Sequence, residues 1–404
     1  MRRPLRKPHG LRNEDIENYE GTADYIVYTD GSNIVALNKS TGIETMRGTD
    51  FATVLQHAID QQSPVPGLIV IKAPPTGYYT VNRTITIPDA LNGLTLRGAG
   101  FQWITDGVLL KNLDDTVNPI IYDNQTAQSF NVFDRLGFYA RSGDDIICLT
   151  ISGLDTKVTN CSFYGDTATG IRTNTNTWVT GCWIEELKTG ISIGGGCPFI
   201  HNNIFWSNSA YDIFCNSAAD FCFISNNRSN ASKTFFCMSV AGGAHKDSVN
   251  ISGNIVNGCT DDCIKWTYGP SERLLIANNI FEGAGVTGYF LDVVNPAHLP
   301  TGLIQNNIIH DMQTGIFTGD ISNLDIRNNV GYVSENGGAT GAVADGGTFA
   351  HGLSGTPTYC VVTGTVAGDI IKVTGLGAAN VTVSIKDEGG GAGTAQVLYW
   401  RAYL

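Results

Sequence analysis

The chain has 404 residues, of which 15% are charged, with a formal net charge of -12 and 48 glycines. That charge argues against a nucleic-acid groove, which needs clustered Lys and Arg to neutralise phosphates. Few charges with abundant Gly, Asn, Thr, Ser, Val and Ile fit a turn-rich all-β chain and fit helices poorly. Ten cysteines in this length do not make a disulfide scaffold.

Residues 1–20 form a basic and polar tail beginning Arg2-Arg3-Pro4-Leu5-Arg6-Lys7. No apolar stretch of signal-peptide length follows, so the sequence predicts neither a signal peptide nor a membrane span. The tail reads as a solubilising arm or one that docks on an acidic partner. Residues 21–89 hold short strands, with Tyr25–Tyr28 and Ile34–Leu37 alternating about Asp30-Gly31. A helix follows, capped by Thr49, since Val54, Leu55, Ala58 and Ile59 share one helical face. It is expected to plug the open end of a solenoid, which would otherwise expose apolar core and unpaired strand edges.

Residues 90–334 carry a repeat. An aliphatic residue, any residue, then Asn or Gly recurs at Val158-Thr-Asn160, Val179-Thr-Gly181, Ile200-His-Asn202, Ile224-Ser-Asn226, Ile251-Ser-Gly253, Ile276-Ala-Asn278, Ile304-Gln-Asn306 and Ile326-Arg-Asn328. Successive Asn/Gly anchors are 21, 21, 24, 27, 25, 28 and 22 residues apart. Phe133-Asp-Arg135 marks a weaker coil upstream. The spacing suits three short strands per turn of a parallel β-helix, with the aliphatic residues stacked inside and the anchors in left-handed turns. A second phrase closes coils at Thr169-Gly-Ile171, Thr189-Gly-Ile191, Asp212-Ile213, Cys263-Ile264 and Thr314-Gly-Ile316. Cys161 and Cys182, one residue past their anchors, should stack as buried thiols. Cys259-x3-Cys263 lacks the second pair that a zinc site needs, so no metal is expected.

The period stops at Glu335. Residues 335–404 read as a glycine-rich hinge, Gly337 to Gly347, followed by a small antiparallel domain with strands at Thr358–Val362, Ile370–Val373, Val381–Ile385 and Val397–Tyr403.

Residues 48–333, through Thr49 to Asp60, Gly77-Tyr-Tyr-Thr-Val81 and the Asn-Asn-Ile coils, resemble the pectate-lyase-like superfamily of right-handed parallel β-helices. That family includes pectin-active enzymes, epimerases and viral tailspikes, so the fold does not name the activity. The segment Asp345-Gly-Gly-Thr-Phe-Ala-His-Gly-Leu-Ser-Gly-Thr-Pro357 resembles modules that end phage tail fibres and spikes. The resemblance implies a viral or phage spike or tail fibre, homotrimeric, displayed on the virion surface, attached to the particle through its N-terminal region and binding a host surface polysaccharide or glycoprotein. A polysaccharide lyase or glycoside hydrolase, or a purely structural virion shaft, are the alternatives. No cofactor is expected, calcium entering only if the chemistry is that of a lyase.

In-register coils turn sequence offset into a surface column. Four residues past each anchor stand Tyr164, Glu185, Trp206, Asn230, Asn257, Glu282, His310 and Tyr332, with Glu186 and Asp311 one position on. Rings stack on pyranose faces while carboxylates and amides hold hydroxyls, so this column is the candidate carbohydrate-binding strip; an ordinary solvated face is the competing reading. Glycoside hydrolysis needs two carboxyl groups roughly 5 to 9.5 Å apart. Glu185 and Glu282, four coils or about 19 Å apart, are too distant, whereas Glu282 and Asp311 lie on adjacent coils beside His310. Asp261-Asp262-Cys263-Ile264 resembles an Asp-Asp-Cys-Ile stretch of polygalacturonases, and Gly190-Ile-Ser-Ile-Gly194 part of their His-Gly segment. The order is reversed, Thr189 replaces the His and the Arg-Ile-Lys element is missing. Asp261 and Asp262, with Lys265 nearby, therefore stand as a second catalytic candidate, and Gly143-Asp144-Asp145 reads as a turn.

Overall fold

The computed structural model describes residues 22–403 apart from 100–106, 114–116, 126–128, 142–145, 167, 217–220, 240–246, 269–270, 284–287, 296–298 and 333–334. The basic tail and Gly143-Asp144-Asp145 lie outside the described residues.

Each coil lays one strand in each of three parallel sheets. The first sheet has fourteen strands and runs from Leu68–Lys72 to Leu324–Arg327, with three antiparallel N-terminal strands added at its start. The second runs through ten strands from Tyr79–Val81 to Ile308–His310, and the third through ten from Ile85–Ile87 to Gly315–Thr318. The aliphatic residues of the repeat pair directly, Val158 with Val179, then Ile200, Ile224, Ile251, Ile276, Ile304 and Ile326. All but Ile326 are fully buried, so the expected inward stack forms the core. The anchors are left-handed, with φ from 50° at Asn160 to 68° at Gly253. Asn tolerates that region because its short polar side chain bonds locally, and Gly because it has no Cβ.

The residue after each anchor explains the repeat's second Asn. Asn203, Asn227, Asn254, Asn279, Asn307 and Asn329 form a buried ladder in which each amide serves the next. Asn254 Nδ2 donates to Ile224 O at 3.0 Å and to Asn279 Oδ1 at 2.9 Å. Its Oδ1 accepts from Asn227 N at 2.9 Å and from Asn227 Nδ2 at 3.0 Å. Cys161 and Cys182 continue this position upstream as buried free thiols directed at backbone carbonyls.

The helix α1 spans Phe51–Gln62, and its cap is Asp50 rather than Thr49. Asp50 accepts from Ala52 N at 3.0 Å and Thr53 Oγ1 at 2.7 Å, and a carboxylate at this end also meets the helix dipole favourably. Phe51, Val54, Leu55, Ala58 and Ile59 close the end of the core, and Phe51 stacks on Tyr79 at 4.1 Å. Gln56 bonds both backbone groups of Thr86, at 2.9 and 2.8 Å, and so covers the open edge of the third sheet.

The C-terminal module is a pair of three-stranded antiparallel sheets around Val343, Phe349, Val381, Val383, Ile385 and Leu398. Glu335–Val343, expected as part of a hinge, is instead a strand paired with Gln396–Tyr403. Its glycines are there for close approach: a Cβ on Gly337 would stand 2.8 Å from the Trp400 carbonyl oxygen. The His-Gly-Leu element is structural. His351 is fully buried, with Nδ1 accepting from Leu353 N at 3.0 Å and Nε2 placed to donate to Gly377 O at 3.0 Å. Asp345 receives Ile385 N, Ser384 Oγ and Lys386 Nζ, and these bonds hold its carboxyl down at about 2.

Candidate functional site

The outer face of the second sheet carries the candidate strip. Tyr164, Glu185, Trp206, Asn230, Asn257, Glu282 and His310 are direct partners on seven consecutive strands. The column is half-buried at Tyr164 to Asn230 and exposed from Asn257 to His310. Trp183 Nε1 donates to Glu185 Oε2, which orients that carboxylate. A hydrogen bond to Glu186 pushes the Tyr164 phenol up to about 12. Among the described residues no aromatic ring stacks on Trp206, whose in-register neighbours are Glu185 and Asn230.

The column reaches further upstream than expected. Tyr139 pairs with Tyr164 and stacks on it at 5.4 Å, and Lys111 pairs with Tyr139, its ammonium 4.9 Å from that ring. The weak anchor Arg135 was the available signal, since Tyr139 lies four residues beyond it and Arg135 has a left-handed φ of 57°. At the other end Tyr332 leaves the line and packs edge-on against Phe317 at 4.7 Å. The period has stopped there and the ring covers core. Beside the column run Trp183, Ile204, Arg228, Ile255, Ile280 and Ile308, an apolar border with one cation.

The four candidate catalytic carboxylates fall in two places. Glu282 stands on the second sheet opposite His310, and Asp311 occupies the following turn with a φ of 55°. Asp261 and Asp262 precede a strand of the third sheet, Ile264–Tyr268. There Lys265 Nζ lies 3.2 Å from Asp262 Oδ2 and 3.7 Å from Asp292 Oδ2. Asp262 is buried and its Oδ1 accepts from Tyr289 N at 2.9 Å. Burial and then the neighbouring Asp262 push Asp292 up to about 6, with Lys265 opposing. Asp292 escaped the sequence reading because its partnership with Lys265 is set by strand register across 27 residues. Both carboxylates thus share the Lys265 ammonium. Among the described residues no trio of His, Cys, Asp or Glu is placed to hold a metal ion.

Cys259 and Cys263 lie inside the coil, hydrogen-bonded to each other, and this bond with burial raises the Cys259 thiol well above its usual value. Near them Asp212 is completely buried, accepting from Asn208 Nδ2 at 2.7 Å and from the Ser229 hydroxyl, and burial holds it at about 7.

No family model matches the chain, and no curated protein does. Several solved structures are similar to it at TM-scores below 0.5. The exopolygalacturonase of Thermotoga maritima is 10% identical with a TM-score of 0.47, covering 70% of this chain and 88% of its own. The mannuronan C-5 epimerase AlgE6 A-module of Azotobacter vinelandii is 11% identical with a TM-score of 0.45, covering 70% and 95%. The phiAB6 tailspike, solved with oligosaccharides of Acinetobacter baumannii surface polysaccharide, is 12% identical with a TM-score of 0.45, covering 91% and 89%. The sheet topology is that of a parallel β-helix. Among the described residues no helix is long and apolar enough to cross a membrane.

Proposed function

We propose that this chain is a spike or tail-fibre-like protein of a virion surface that attaches to a host surface glycan through the outer face of its second sheet. The supporting observation is the in-register column from Lys111 to His310, in which half-exposed Trp206 stands between Glu185 and Asn230. Strands about 4.8 Å apart repeat a contact at close to the rise of one sugar residue, so an extended chain lying along the column meets a ring, carboxylate or amide at each step. In this reading the protein is a homotrimer docked to the particle through its N-terminal region. The decisive experiment is binding of purified chain to an array of bacterial surface polysaccharides, with Trp206→Ala as the matched control. Specific binding that Trp206→Ala abolishes is expected; absence of binding to any glycan, or binding indifferent to Trp206, overturns the assignment.

The third-sheet cluster favours a second reading, a glycan-cleaving spike. Asp292, held at about 6 beside buried Asp262, is suited to donate a proton, and Lys265 positions both carboxylates. Release of oligosaccharides that rises below pH 6 and disappears in Asp292→Asn supports this reading; intact polysaccharide after prolonged incubation removes it.

A further inference from the structure

The outer face of the first sheet differs from the other two. Trp178, Phe199, Phe223, Asn250, Leu275 and Leu303 are direct partners on six successive strands, and all are half-exposed. The column beside them reads Thr180, His201, Ser225, Ser252, Ala277 and Gln305. These twelve positions, about 24 Å along the solenoid by strand spacing, contain no Asp, Glu, Lys or Arg. Charge returns beyond the ends, at Lys157 before Trp178 and at Asp325 and Arg327 after Leu303 and Gln305, and at the flank, where exposed Arg273 stands two residues before Leu275. The second sheet by contrast shows Glu185, Arg228 and Glu282, and the third Arg172, Lys265 and Asp292.

We infer that this face is the contact by which copies of the chain assemble side by side, parallel and in register. Three observations select a second copy over a glycan. Rotational symmetry with an axis along the shaft brings residues next to that axis near their own counterparts at the same height, so a charged column there would repel itself and an uncharged one is admitted. Second, Trp178, Phe199 and Phe223 stack on one another at 5.4 and 4.9 Å, within 4° of parallel. Their faces are thus occupied along the shaft and only ring edges point outward, which suits packing against another protein and denies a sugar the face it stacks on.

Third, Asn250 interrupts the apolar line with a half-exposed amide between Phe223 and Leu275. An amide in an apolar seam between parallel copies meets its own counterparts and penalises any slipped register. The inference deepens the oligomer named above by giving it a face, and it leaves the second-sheet column free.

Oligomeric state measured without glycan separates this inference from the attachment reading. Light scattering of the full chain is expected to give a multiple of 43.2 kDa, falling to that mass in the double variant Phe199→Lys/Phe223→Lys with an unchanged circular dichroism spectrum. Trp206→Lys on the second sheet should leave the multiple intact. Asn250→Cys provides the arm that does not depend on the lysine variant folding: mild oxidation is expected to link copies residue to residue, a band the parent chain lacks. A wild-type monomer at micromolar concentration, an oligomer untouched by both lysines, or no link through Asn250→Cys overturns the inference.

Discussion

The Asn ladder inside the coil and the mixed column outside it are products of one repeat, yet they obey different rules. Inside, six consecutive coils use the same residue, because each amide needs an identical neighbour above and below to satisfy its donors and acceptors. Outside, the first five of those coils carry Trp206, Asn230, Asn257, Glu282 and His310 with little constraint from the fold. Repetition therefore reports architecture, and departure from repetition on an in-register face is where function can be written.

The largest effects should come from the interior. Asn254→Leu removes the side-chain acceptor of Asn227 N and Nδ2 and the Nδ2 donor to Ile224 O and Asn279 Oδ1, which keeps only the backbone N–H of residue 254, so a loss of about 4 kcal/mol or more is expected. A denaturation midpoint within error of the parent would show that the ladder is not a stabilising element. Asp212 tests the interior through pH. Its folded value of about 7 lies above the ordinary 3.8, so between these the folded chain holds a proton that the unfolded chain has released. Stability from this group is therefore greatest below pH 3.8 and falls as pH rises to 7, by about 4 kcal/mol, then levels off. Asp212→Asn should flatten that slope, leaving the smaller ones of the same sign from Asp123 and Asp292, each held at about 6 chiefly by burial. An unaltered slope in the variant would refute the assignment.

His351→Ala in the C-terminal module removes two buried hydrogen bonds and should cost about 2 to 3 kcal/mol in that module, with the coils untouched. Hydrogen exchange that loosens the coils as well would contradict it. On the outside, Trp206→Ala should weaken glycan binding at least about tenfold, near 1.4 kcal/mol, at a stability cost below about 1 kcal/mol. The smallest effect is Glu282→Gln, within about 0.5 kcal/mol of the parent in stability. A large loss there would mean the column is bound by the fold after all.

How much of this was legible follows the same division. The inward Val and Ile stack, the left-handed anchors and the column spacing were all readable, because in a solenoid each is a fixed offset from the repeat. Thr49 lost the cap to Asp50 because a carboxylate one residue on meets both Ala52 and Thr53. The glycines at Gly337 to Gly341 read as a hinge because strand propensity is low there, and only the closeness of Trp400 shows why they belong in a strand.

The sequence alone determined the solenoid, its number of clear coils and which residues share a column, since periodicity and strand register are both one-dimensional properties. Tertiary structure decided what each column meets. It paired Lys265 with Asp292 across coils, placed Glu282 and Asp261 on different sheets, and turned Tyr332 inward onto Phe317. It also showed that Trp178, Phe199 and Phe223 stack face to face along the shaft. Such choices depend on distances and ring orientations between coils, which loops of unequal length set and no repeat encodes.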